Sequence, residues 1–325
     1  MKIAALGAVC FDEIFLVDGT QSESFGGITY NAAALSSILE PGDTALPVSN
    51  LGEDRYEAAL AEFSKLPNVD TSALVKTPGP LMHVTLTWRS ASWRDEAVRH
   101  QMPPFDGSVA DRLAGCDAAH INFIHGTEVD LDTLRAVRER FDGLLSLDVH
   151  NIISRFGKDG TRSIVGFQQW REWTPYLDIL QCNEFEIDQM FPRSVASRDE
   201  FARAAREVCA TGPRVVSVTL GPEDAVTVHR KDDKYYLLDI GVLPPVKAVD
   251  STGCGDSFSA GFLVGMVRYD DPATALACAT VVAGVNARHR GIGSLEGVQE
   301  LLADPRSHFA LFEGKPADWP GEQLD

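Results

Sequence analysis

Apolar residues follow two alternating rhythms along this chain. Short unbroken runs, Ile3 to Gly7, Ala118 to Ile121, Leu144 to Asp148, Ile179 to Cys182 and Val215 to Leu220, have the length of strands buried on both faces. Between them apolar positions recur at helical spacing. Tyr30 to Leu39 is one such stretch, stopped by Pro41-Gly42, and Leu131 to Phe141 is another. Phe201 to Cys209 is introduced by Ser197-Arg198-Asp199-Glu200, where a hydroxyl and a glutamate three residues on can satisfy two helix-end donors reciprocally. Phe258, Phe262, Leu263, Met266 and Val267 mark a further helix, made closely packable by Ala260, Gly261 and Gly265, and Pro272 to Arg288 marks the next. Strands separated by helices predict the α/β class, with a mainly parallel sheet covered on both faces.

Two stretches break the alternation. Glu13 to Phe25, and Leu81 to Arg94 with Val84, Leu86 and Trp88 on one face, read as antiparallel strands. No repeat or low-complexity linker divides the chain, so residues 1–325 are expected to form one domain. Lys315 to Asp325 is polar and proline-containing, and a loosely held tail is expected there.

With 325 residues, 44% hydrophobic and 23% charged, the chain can bury a large core. A formal net charge of -18 argues against a broad nucleic-acid or anionic-membrane surface, because an acidic field repels polyphosphate. It leaves room for a local phosphate site built from backbone N–H groups and Mg²⁺. Cys10, Cys116, Cys182, Cys209, Cys254 and Cys278 form no CxxC pair, so neither zinc nor a disulfide framework is indicated; reduced thiols in a cytoplasmic protein are expected. The N-terminal apolar stretch reaches Asp12-Glu13 too soon for a signal sequence.

The most chemically specific segment is Asp250-Ser251-Thr252-Gly253-Cys254-Gly255-Asp256-Ser257-Phe258. Val242, Leu243, Val246 and Val249 around Pro244-Pro245 predict an extended entry to it, and the Phe258 helix follows, so it is a strand-to-helix junction. Its glycines let backbone N–H groups approach an anion and the helix adds its positive end. Asp256 is then placed to take a proton from an attacking hydroxyl. A plain connecting turn would need one glycine but not the flanking acids and hydroxyls.

This segment resembles the signature of the ribokinase-like, PfkB-type carbohydrate and nucleoside kinases. The resemblance implies a three-layer αβα fold with a small β-sheet lid at about 13–25 and 81–105. It implies Gly253, Cys254 and Gly255 as the anion hole and Asp256 as the catalytic base, with Cys254 standing where alanine is usual. Gly26-Gly27-Ile28-Thr29-Tyr30-Asn31, as secondary structure alone a helix entry capped by Thr29, resembles the family's N-terminal motif, with Gly27 and Asn31 on the sugar hydroxyls. Asp12 stands where the family commonly has an aspartate that accepts from two substrate hydroxyls, and Gly52-Glu53-Asp54 is also similar to a family pattern. Asn183-Glu184-Phe185-Glu186 resembles the Asn-x-x-Glu motif that holds Mg²⁺ through water, although the same spacing starts ordinary helices.

For the nucleotide, Val218-Thr219-Leu220-Gly221 resembles the phosphate-proximal turn, with Thr219 and Gly221 as contacts, but Pro222-Glu223-Asp224-Ala225 replaces a segment where a second glycine is usual. Asn286 is a candidate for the adenine. Arg290-Gly291-Ile292-Gly293-Ser294, with Asp250 and Thr252, resembles a loop that encloses K⁺ in several relatives. P-loop and dinucleotide motifs are missing. His120, His125 and His150 read as core or loop residues, and Trp88-Arg89 and Trp93-Arg94 as partly covered strand residues.

The expected reaction is ATP-dependent phosphorylation of a sugar hydroxyl, with ATP, Mg²⁺ and a candidate K⁺, in a monomer or homodimer. The alternatives are a nucleoside kinase of the same family, or a sugar- and nucleotide-binding regulator with weak chemistry. The acceptor is not named by any of these residues, although Arg89, Arg94 and Arg99 leave a second substrate phosphate open.

Overall fold

The structure, a computed structural model, describes residues 1–89, 94–241, 248–289, 291, 295–309 and 315–316. The expected extended entry from Val242 to Val246, with Trp93, Ser294 and most of the tail, lies outside the described residues.

The first strands are β1 (Lys2–Leu6), β2 (Val9–Phe15), β3 (Gln21–Gly27), β4 (Thr44–Gly52) and β5 (Leu74–Thr77). They are followed by β6 (Met82–Trp88), β7 (Arg94–Arg99), β8 (Ala118–Asn122), β9 (Leu144–Asp148), β10 (Ser154–Phe156) and β11 (Arg162–Ile164). The remainder are β12 (Ile179–Asn183), β13 (Val215–Thr219), β14 (Asp224–Lys231), β15 (Lys234–Gly241) and β16 (Lys315–Pro316). Ten of these form one sheet in the order β16-β15-β14-β13-β12-β9-β8-β1-β4-β5, parallel from β13 to β5 and antiparallel from β13 to β16.

The unbroken apolar runs follow from the layering. Along β1, Ile3 and Ala5 pack into one hydrophobic cluster and Ala4 and Leu6 into the other, so neither face offers a place for polar side chains. The first cluster lies under α1 (Thr29–Ile38), α2 (Tyr56–Phe63), α8 (Cys254–Tyr269), α9 (Pro272–Asn286) and α10 (Val298–Leu302). The second lies under α3 (Val109–Arg112), α4 (Leu131–Arg140), α5 (Trp170–Trp173), α6 (Glu184–Met190) and α7 (Arg198–Cys209). The result is a helix–sheet–helix sandwich. Within the helical layer, Gly261 and Gly265 let α8 approach α9 so closely that an added Cβ would fall 2.9 Å from Ala279 Cα and 2.6 Å from Ala275 Cα.

Local signals in the sequence are realised at α7, where Ser197 and Glu200 form the reciprocal cap. At α1 they are not. Ile28 occupies the cap position without a side-chain bond, and the Thr29 hydroxyl donates instead to the Gly26 carbonyl at 2.9 Å. The segments that broke the alternation form a separate four-stranded sheet, β3-β2-β6-β7. Its pairs β2–β3 and β6–β7 are antiparallel, but β2 and β6 run parallel, which alternation alone does not reveal. Among the described residues no helix is long and apolar enough to cross a membrane.

Candidate active site

In a parallel sheet covered by helices, the carboxyl ends of the strands open onto a crevice where side chains from distant segments converge. Asn122 ends β8, Asp148 ends β9, Asn183 ends β12 and Thr219 ends β13. The first turn of α8 comes down onto this row. Gln181 of β12 ties it in place, its Nε2 donating to the Gly255 carbonyl at 3.1 Å and its Oε1 accepting from Ser259 at 2.9 Å.

The turn before α8 is shaped by Gly253, whose φ of 76° lies in the left-handed region. A side chain there is also blocked, since a Cβ would lie 2.5 Å from Cδ1 of Tyr30. Gly255 differs. It sits on the exposed face of the helix start, and its Cβ would find nothing nearer than Gln181 Nε2 at 3.8 Å. Protein packing therefore does not require glycine at 255, and an approaching ligand does supply a reason for it. Of the anion-hole residues expected, Cys254 has its N–H engaged by the Ser251 carbonyl at 3.1 Å. First-turn N–H groups lack intrahelical acceptors, so the donor role falls chiefly to Gly255 and Asp256, aided by the helix dipole. The Cys254 thiol is held protonated, because burial pushes its pKa up.

Asp256 is partly exposed within the crevice. Burial raises its pKa, opposed by the nearby His150 charge and by the Asn122 side chain. Asn122 Nδ2 donates to Asp256 Oδ1 at 2.6 Å and to Asn31 Oδ1 at 3.0 Å, while Asn31 Nδ2 reaches the Asp256 carbonyl at 3.4 Å. Asn31 is 1% exposed, so its amide braces the base from behind.

On the acceptor side, Asp12 is buried in β2, and the Cys10 thiol donates to its Oδ1 at 3.1 Å. Gly26, paired with Cys10 in β3, has no room for a Cβ because the Asp12 carboxylate fills that space. Gly27 takes φ 64° with its Cα against the Ala8 carbonyl, so the diglycine is required by backbone and carboxylate together. Tyr30 lies near both Asp12 and Asp256; burial first, and then their charges, push its phenol pKa up. Asp54 is elsewhere, accepting from Leu81 N–H at 2.8 Å to fix the start of β6.

Asn183 and Glu186 combine both readings of their spacing. They make a full capping box at α6, with Asn183 Oδ1 accepting from Glu186 N–H at 2.9 Å and Glu186 Oε2 from Asn183 N–H at 2.8 Å. The Glu186 carboxylate nevertheless lies among charges: Asp148 is buried with its pKa well raised, by burial and then by Glu186, and His150 Nδ1 is 3.7 Å from Glu186 Oε1. Burial disfavours the His150 charge, but the close Glu186 carboxylate and the charges of Asp148 and Asp256 outweigh it and hold the pKa at about 9. His150 also carries a positive φ of 29°, strained for an imidazole-bearing residue. Its cationic role has no signal in spacing or motif.

Among the described residues no group of three or more His, Cys, Asp or Glu side chains closes on a metal. Mg²⁺ would not need such a group, since it keeps several waters and is held by one or two carboxylates together with substrate phosphates. Glu186 and Asp148 supply hard oxygen donors of that kind.

The nucleotide-side residues are dispersed. Thr219 donates to the Cys182 carbonyl at 3.4 Å, and Gly221, at φ 58°, has open space where a side chain would stand. Asp224, where a second glycine is usual, turns away to accept from Arg198 at 2.7 Å. Asn286, expected near adenine, is 7% exposed and donates to the Thr252 carbonyl at 2.9 Å and the Cys254 sulfur at 3.4 Å, so its amide nitrogen braces the phosphate turn. Asp250 Oδ1 accepts from Thr252 N–H at 2.9 Å. Ser294, the remaining residue expected around K⁺, lies outside the described residues.

A sheet with this topology, with a carboxylate on a glycine-shaped helix start at its carboxyl edge, has the ribokinase-like fold. The model for the pfkB family of carbohydrate kinases matches residues 2–296. The chain belongs to that family and is a kinase. It is 24% identical over 277 residues to a cytidine kinase of Thermococcus kodakarensis, covering 82% of this chain and 89% of that one. Among solved structures, ribokinase of Arabidopsis thaliana complexed with ribose and ATP superposes with a TM-score of 0.74 at 18% identity, over 92% of this chain and 98% of the other. A pyrophosphate-dependent kinase in the ribokinase family gives 0.73 at 18% identity, over 93% and 99%.

Proposed function

We propose that this kinase transfers the γ-phosphoryl group of ATP to a hydroxyl of a sugar, with Asp256 as the general base. The observation that carries the reading is the Asp256 carboxylate at the positive end of α8, with one oxygen held by Asn122 at 2.6 Å. Asp12 and Gly27 take the acceptor, and the β3-β2-β6-β7 sheet is the lid that excludes water over it. As the acceptor oxygen bonds to phosphorus, its proton passes to the free Asp256 oxygen and the bond to ADP breaks. The Gly255 and Asp256 N–H groups meet the charge on the transferring group. Mg²⁺, held through water by Asn183 and Glu186, supplies neutralisation of the nucleotide phosphates when bound. The Asp250 to Thr252 loop is the side from which K⁺ would be bound.

The Thermococcus relative, which spans most of the chain, favours a second reading in which the phosphorylated sugar is the ribose of a nucleoside. A panel of free sugars and nucleosides, assayed for acceptor-stimulated ADP formation, separates the two. Turnover with D-ribose, D-fructose or another free sugar supports the first reading, and turnover confined to cytidine or adenosine replaces it with the second. Acceptor binding without ADP release would return the protein to a regulatory role.

A further inference from the structure

Asn122 belongs to none of the motifs that mark the site, yet it makes the shortest side-chain bond to the base. It ends β8, is 1% exposed, and is drawn close to the preceding strand by Gly7, where a Cβ would stand 2.5 Å from the Asn122 carbonyl. We propose that Asn122 is the positioning residue of the phosphoryl-transfer step, clamping one oxygen of Asp256 so that the other is presented to the acceptor hydroxyl. This rests on the reading of Asp256 as the base.

The amide orientation follows from its neighbours. An ionised carboxylate only accepts, and Asn122 Nδ2 faces both Asp256 Oδ1 and Asn31 Oδ1, so its two hydrogens are divided between α8 and α1. Turning the amide over would set an oxygen against two oxygens. Both donors are thereby committed, and the base is referenced at once to the sheet and to the helix that carries the acceptor motif. The remaining atom, Asn122 Oδ1, is buried without a hydrogen-bond partner.

The bond also favours the ionised form of Asp256, against burial and alongside the charge of His150, which itself faces Glu186 and Asp148. Removing the donor therefore acts on orientation and on proton affinity together.

The test uses Asn122→Leu, close in volume, and Asn122→Ala, in the full-length protein. Carboxyl ¹³C titration, with the Asp256 signal assigned through Asp256→Asn, needs no acceptor. The Asp256 midpoint is expected to move upward in both variants. With ATP and D-ribose or cytidine, kcat is expected to fall by roughly 10- to 100-fold with the KM for ATP unchanged, the scale of a misplaced reacting group. An unmoved Asp256 midpoint in folded Asn122→Leu or Asn122→Ala overturns the proposal. Asp256→Asn that keeps its turnover would overturn the base instead, and a shifted midpoint would still establish the clamp.

Discussion

Gly253 and Gly255 flank the same cysteine but are glycines for different reasons, and alanine at each position separates them. In Gly253→Ala, the left-handed φ of 76° costs an L-residue roughly 1–2 kcal/mol. The new methyl also meets Tyr30 at 2.5 Å, and Tyr30 is 8% exposed, so the ring cannot swing freely into solvent. Forced repacking of that kind typically adds ~1–3 kcal/mol, giving a total of roughly 2–5 kcal/mol. In Gly255→Ala the methyl falls in ordinary contact with Gln181 at 3.8 Å within a helix, where alanine is favoured over glycine by roughly 0.5–1 kcal/mol. That variant should be as stable as the parent or more so.

Activity should not follow stability. A methyl on Gly255 stands where the transferred phosphoryl group approaches, and displacement by that much costs about 10²-fold in turnover. Urea unfolding followed by tryptophan fluorescence, paired with ADP release at saturating ATP, reads both quantities. The expected pattern is a stable, nearly inactive Gly255→Ala and an unstable Gly253→Ala. A fully active Gly255→Ala would refute the placement of the anion at this turn, and a Gly255→Ala weakened by more than about 1 kcal/mol would show its glycine to be structural.

Two further outcomes are expected. Gly26→Ala pushes the new methyl into the Asp12 carboxylate, so KM for the acceptor should rise about tenfold or more while KM for ATP holds; a rise in both would place Asp12 outside the acceptor pocket. His120, buried at 3% exposure, has its pKa lowered from 6.5 to about 4 by burial. Below pH 6.5 the unfolded chain takes up a proton that the folded chain refuses, so stability falls as the pH falls through this window. Between pH 7 and 5 this amounts to about 2 kcal/mol from His120 alone; because His150, held at about 9, acts in the opposite direction, the effect is read as the difference in pH dependence between the parent and His120→Gln in urea unfolding.

The parallel strands β1, β8, β9, β12 and β13 were legible because burial on both faces leaves an apolar run, whereas β4, interrupted by Pro47, Ser49 and Asn50, and the short edge strand β5 were not read; α7 was legible because Ser197 and Glu200 lie three residues apart and bond locally. The antiparallel edge β14–β15 was not read. Its sequence from Asp224 to Gly241 mixes Thr227, His229, Arg230 and Lys234 with apolar residues, as a half-covered hairpin does. The site was legible where function depends on backbone shape, as at Gly253 and the diglycine, because glycine in left-handed or crowded positions has few substitutes. Asn122 and His150 were not legible as site residues. Asn122 meets Asp256 across 134 positions, and the charge on His150 arises from Glu186, Asp148 and Asp256, which approach it only after the strand ends are aligned. The bond from the Asn286 amide nitrogen to Thr252 was hidden for the same reason, since nothing in the helix alone shows it.

The most direct measurement is the turnover of Asp256→Asn with ATP and the acceptor that responds in the sugar and nucleoside panel. Asparagine keeps the shape and can still meet Asn122, but cannot take the proton. The account predicts a folded protein with kcat lower by roughly 10²- to 10⁴-fold. Turnover close to that of the parent would contradict the assignment of Asp256 as the base.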